Sequence, residues 1–253
     1  MPDLKLISAE VLKLRSRRGM LAIAIVLTLG LVALVFAVTG IQHASNPTKY
    51  GPAGGATSYK DGLTVLTMMA LVVGAIVGGT AGTQDVESGV FRDLAATGRS
   101  RLAVFAARVF GAWTIVLPIL ATTMAAMAVL AHAMAGGTPT PDAAMVVAGT
   151  AEILLAGALS TAAAVGLSAL VGSRGPVIGI LLAFFLAIEK LLAAVGMLGA
   201  ARQALPSVAL DRIGHTPVGG GMQVALGTAV VVVIAWIVAT LGVGAWKTRT
   251  REI

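Results

Sequence analysis

Residues 63–83 read LTVLTMMALVVGAIVGGTAGT, a run without a charged side chain that is bounded by Asp61 and Asp85. A helix rising about 1.5 Å per residue needs about 20 apolar residues to cross a hydrocarbon core of about 30 Å. No water is present in that core to take up peptide hydrogen bonds, so such a segment crosses as a helix. Gly74, Gly78 and Gly82 fall four apart and therefore lie on one helical face. Small residues at this spacing let another helix backbone approach closely. The spacing predicts close packing against a neighbour and does not separate a helix of this chain from one of a second copy.

Five more runs of this kind flank it. They cover about 20–41, 109–135, 143–171, 177–198 and 222–245. The third span contains Pro118, the fourth is interrupted only by Glu152, and the fifth carries the adjacent pair Glu189 and Lys190. Of the 253 residues, 57% are hydrophobic and 11% charged, against roughly 25% charged in a soluble domain. A water-soluble globule is excluded, and the fold class is an all-α membrane protein with six transmembrane helices in a single domain, 1–253. The first apolar run is longer than the roughly 7–15 residues of a signal-peptide core, so the first helix is expected to be retained. The absence of cysteine excludes a disulfide framework, a thiolate metal site and a cysteine nucleophile.

Thirteen of the eighteen Lys and Arg residues fall before the first span, between the second and third, between the fourth and fifth, or after the sixth. Positive charge is retained on the cytoplasmic side, which predicts both termini and the 84–107 loop in the cytoplasm of a cell, most naturally a bacterial plasma membrane. Topology and anionic lipid then account for the net charge of +7, and no nucleic-acid partner is implied. Residues 1–18 place Leu4, Ile7, Val11 and Leu14 at helical spacing among charged neighbours, as in a helix lying on a membrane surface. His43, His132 and His215 are too scattered to form a metal set.

The loop segment 84–101, QDVESGVFRDLAATGRSR, mixes both charge signs with an apolar stripe at Val90, Phe91 and Leu94. A short helix here would present a hydrophobic face rimmed by charge, suited to docking on another protein. The element Glu87-Ser88-Gly89, followed by Arg92, Leu94 and the Thr97-Gly98-Arg99-Ser100-Arg101 turn, with Arg108 at the membrane entrance, resembles the coupling-helix region of the type-2 ABC transporter permease family. Gly98 stands where that family often has proline, and Arg108 where lysine is common. The resemblance implies an ABC exporter permease that pairs with a second copy, identical or related, and with two ATPase subunits. It also implies that Glu87, Gly89, Phe91, Arg92, Leu94 and Arg101 couple to those subunits, which hold the ATP and Mg. No lysine follows a glycine in this chain, so the phosphate-wrapping loop of a nucleotide site is absent and no cofactor or catalytic residue is assigned.

Ionisable residues inside a membrane face a cavity or a partner. Glu152, Glu189 and Lys190 lie at similar depth from the outer ends of their spans, so Lys190 is expected to pair with one of the carboxylates, in the transport pathway or as a structural bridge. The outer segment 199–221 carries Leu205, Val208 and Ile213, consistent with short helices dipping into the interface. The cargo expected is a small hydrophobic or amphipathic compound, drug, lipid or peptide. The competing readings are an ATP-independent carrier using Glu152 and Glu189, and a non-transporting scaffold.

Overall fold

The structure, a computed structural model, describes residues 4–87, 100–214 and 224–250. Helix α1 (Leu4–Arg15) precedes six helices of membrane-crossing length: α2 (Arg18–Ser45), α3 (Gly55–Glu87), α4 (Arg101–Ala133), α5 (Ala143–Val171), α6 (Arg174–Ala194) and α8 (Leu226–Thr250). Between the last two lie a 3₁₀ segment, Gly196–Ala204, and the short helix α7 (Pro206–Ile213). No strand occurs among the described residues. The chain is a multi-pass helical membrane protein.

The helices run beyond the apolar stretches that mark them. Helix α3 begins at Gly55 rather than near Leu63, and α4 at Arg101 rather than Val109. Hydropathy records only the part of a helix that sits in hydrocarbon, while capping residues decide where the helix ends. Ser100 caps α4 by accepting the Ala103 N–H at 3.2 Å, and Asp142 caps α5 by accepting the Met145 N–H at 2.7 Å. Gly172, at φ +74, ends α5 in the left-handed conformation that a side chain would resist.

The core is the parallel pair α3 and α5. In their most apolar windows 61% and 67% of residues are buried, against 11–33% for the other four spans. The three glycines of α3 make this possible. A Cβ on Gly74 would lie 2.8 Å from Ser160 Cβ, and one on Gly78 2.6 Å from the Thr161 carbonyl oxygen, while Gly82 meets Ser168. The offset of these pairs stays between 83 and 86 residues from Thr67–Glu152 to Gly82–Ser168. The glycine face is therefore filled within this chain. On another side of α5, Gly166 lies against the backbone of α8 at Thr240 and Gly244.

Several buried hydroxyls on these helices are satisfied locally. Thr28, Thr80, Thr83 and Ser168 each donate to the carbonyl one turn earlier, the usual solution where water is excluded. The peripheral helices α2 and α6 each contain a π-helical stretch, Val26–Gly30 and Ala183–Ile188.

Candidate functional site

Two charged groupings occupy opposite ends of the bundle. At one end, α1 lies against α4 so closely that a Cβ on Gly111 would come 2.7 Å from Glu10 Cβ. The face of α1 turned to the protein includes Glu10 and Leu14, both buried, with Ile7 and Val11 half-buried, while Leu4 and Leu12 point outward. Lys13 Nζ reaches Asp85 Oδ1 at 3.0 Å and lies 2.6 Å from Glu10 Oε2. From the other side Arg108 clamps Asp85 Oδ2, through Nη2 at 2.7 Å and Nε at 3.2 Å, and its Nη1 donates to the Gly82 carbonyl at 3.4 Å. Asp85 thus joins α1, α3 and α4 at a buried point. A carboxylate can exist here because two cations and a fork of N–H groups replace its hydration shell.

Glu87 and Arg101 frame the segment from the ends of α3 and α4. Gly89, Phe91, Arg92 and Leu94 lie outside the described residues. Asp85 was read in the sequence only as the boundary of a span. The available signal was its sign: a carboxylate at a membrane edge, with Arg108 facing it from the start of the next span and Lys13 in the preceding surface helix.

At the other end α7 is tucked into the bundle, with Val208, Ala209, Leu210 and Ile213 buried. It reaches the level of Glu152, about 14 Å along α5 from Ala143. Irregular backbone at such depth must be held by protein groups, and two carboxylates contribute. Glu189, wholly buried, accepts the backbone N–H of Ser207 at the start of α7. Glu152, 1% exposed, accepts the Thr67 hydroxyl at 2.7 Å through Oε1, while its Oε2 sits directly against Gly214 Cα just after α7. Among the described residues, the second oxygen of each carboxylate has no hydrogen-bond partner, and neither does the buried Tyr59 hydroxyl. Trp236 of α8 donates to the Ala204 carbonyl at 2.9 Å, and Arg212 to that of Val224 at 2.6 Å.

Glu152 and Glu189 are therefore brought to one neighbourhood around α7. Lys190 is exposed, and among the described residues no ion pair joins it to either carboxylate. Adjacent helical positions are turned by about 100°, so Glu189 faces α7 while Lys190 lies at the surface, its charge still felt at Glu152, Glu189 and Asp211. Asp211 of α7 is part of the same electrostatic neighbourhood: burial pushes its carboxyl above the usual range and Lys190 opposes the shift. The short α7 and Gly214 were not assigned roles by sequence reasoning, since eight residues without a strong apolar period give little indication of depth.

Because the chain has no cysteine, one introduced at the buried Ala209 reports on the seating of α7. Glu189→Ala is expected to accelerate its maleimide labelling about tenfold, and Glu189→Gln, which can still accept the Ser207 N–H, much less. Equal rates in all three backgrounds would show that Glu189 does not hold α7.

Six membrane-length helices, with an amphipathic helix locked to their feet and a short helix buried at the other end, define a polytopic membrane protein. Residues 6–190, from α1 through Lys190, match the family described as ABC-2 family transporter protein. The chain belongs to that family, which supplies membrane transport components. No curated protein matches it.

Proposed function

We propose that this chain is the permease subunit of an exporter driven by separate ATPase subunits, acting as a pair of permeases in the cell membrane. The observation that carries this reading is the Asp85 junction. It ties α1, α3 and α4 together at the feet of the two helices that frame residues 88–99, where a partner pushing on that segment would move all three. The family membership and the mixed charge and apolar stripe of 84–101 support the same assignment. The distribution of Lys and Arg supports a cytoplasmic location for this end and both termini. On this reading ATP and Mg belong to the partner, cargo is a small hydrophobic or amphipathic compound, and α7 with Glu152 and Glu189 closes the outer end of the pathway.

The test is co-expression with candidate ATPases, comparing copurification and ATP hydrolysis for wild type and the Glu87→Ala/Arg92→Ala double variant. An ATPase retained by wild type at equal stoichiometry and lost or uncoupled in the double variant is the expected result. The buried oxygens of Glu152 and Glu189 favour a second reading, a proton-driven carrier. Transport in proteoliposomes that follows a proton gradient without any ATPase would replace the exporter reading with that one.

A further inference from the structure

A cavity of about 440 Å³ opens between α2 and α3 at the end of the bundle opposite Asp85. Its size falls in the range of small-molecule sites, about 300–1,000 Å³. Polarity changes along both walls in the same direction. On α2 the lining runs from Leu31 and Val35 to Thr39 and Gln42, and on α3 from Leu66 and Val65 to Asp61 and Ser58. The α2 wall is about 16 Å long from Leu31 to Gln42. The deep part is apolar and the mouth polar, so the occupant must itself be apolar at one end and polar at the other.

The mouth is preformed. Its roof, residues 49–53, is fixed by the Gly54 N–H donating to the Met134 carbonyl at 2.9 Å and the Ala56 N–H to that of Pro139 at 2.8 Å. Gly54 fits only because it lacks a Cβ, which would meet the backbone at Met134 and Ala135. His43 Nδ1 lies 2.8 Å from the Tyr50 carbonyl, and the Tyr50 ring carries Lys49 Nζ 5.1 Å from its centroid. A cation from the roof and the Asp61 carboxylate from α3 therefore both line the mouth. Among the described residues neither belongs to an ion pair. Opposite charges held apart at one opening complement a head group that carries both signs.

We propose that this cavity binds a single-chain amphiphile, its apolar chain lying between α2 and α3 and its zwitterionic head between Lys49 and Asp61. This names the cargo class of the exporter reading and rests on that reading for transport, but binding itself requires no ATPase.

The test uses the purified full chain in non-ionic detergent and radiolabelled palmitoyl lysophosphatidylcholine, with the anionic lysophosphatidylglycerol as competitor. Saturable binding of about one lysophosphatidylcholine per chain is expected, with lysophosphatidylglycerol competing about tenfold less well. Val35→Trp on one wall and Val65→Trp on the other fill the cavity from positions 43% and 44% exposed, so the fold tolerates them. Each is expected to weaken binding about tenfold, and Asp61→Asn to abolish the preference over the anionic competitor. Wild-type affinity in a folded Val35→Trp or Val65→Trp protein overturns the site. Equal competition by both lysolipids overturns the head assignment. Absence of saturable binding, with the cavity protected from labelling at Val65→Cys by a second copy, overturns the proposal in favour of a dimer contact. If binding follows the expected pattern but ATP hydrolysis by a copurified ATPase never changes it, the exporter reading fails and the site stands.

Discussion

Asp85→Asn is expected to lower the thermal stability of the purified chain sharply and to disconnect α1 from the bundle. Asn keeps the shape but leaves Arg108, whose side chain is 7% exposed, beside a neutral amide. Losing one partner of a buried pair costs about 3–5 kcal/mol, because the remaining charge is stranded away from water. Lys13 loses its anchor on α3 in the same step, so proteolysis between α1 and α2 should accelerate. Glu10 supplies the contrast. Burial pushes its carboxyl above the usual range, with Lys13 pulling the other way, and Lys13 keeps Asp85 as a partner at 3.0 Å when Glu10 is neutralised. Glu10→Gln is therefore expected to cost far less than Asp85→Asn. Melting curves in one detergent decide the matter: superposition of Asp85→Asn on wild type, or a larger loss in Glu10→Gln, removes Asp85 from the centre of the junction.

Gly78→Ile is the second large effect. A Cβ at position 78 already falls 2.6 Å from the Thr161 carbonyl oxygen and 2.8 Å from Ala164 Cβ. The first of these is backbone, which cannot swing aside as a side-chain tip does. Inserting methylenes into a packed core commonly costs about 1–3 kcal/mol, and here the helices must part along their length, so little folded protein is expected in detergent. Gly79→Ala is the matched control. Its Cβ would first meet Ile178 Cγ1 at 3.2 Å, a side chain able to yield. Monodispersity on size exclusion should be lost in Gly78→Ile and kept in Gly79→Ala; equal profiles would mean that the α3–α5 seam is looser than it is drawn.

The six spans were legible because uncharged runs of membrane length leave few other conformations. Their ends were not, since Tyr59, Lys60 and Asp61 before the apolar part of α3, and the basic turn that opens α4, continue a helix without signalling hydrocarbon. Counting positive charges treated Lys13 and Arg108 as loop markers, while the structure turns both inward onto Asp85. Charge statistics carry no information about which anion a cation faces. The glycine spacing did predict close packing, but its partner, the Ser160–Ser168 face of α5, is a stretch of small residues with no pattern of its own. Similar depth suggested that Lys190 would meet a carboxylate, and its charge does act on Glu152, Glu189 and Asp211. Depth does not give azimuth, however, and the direct hydrogen bond to Glu189 comes from the backbone of α7.

The interdigitated α3–α5 seam also sets what can move. Ridges of backbone and small side chains that enter each other at intervals of one turn leave no smooth plane along which the two helices could slide. The pair behaves as one stiff beam, and the 26 residues from Tyr59 to Asp85 make it about 39 Å long. Its fulcrum is the Asp85 junction. A tilt of about 10° imposed there would sweep the far end, where Tyr59 sits, through about 7 Å, more than one helical turn, so a small displacement at the feet would become a wide one beside the α2–α3 cavity.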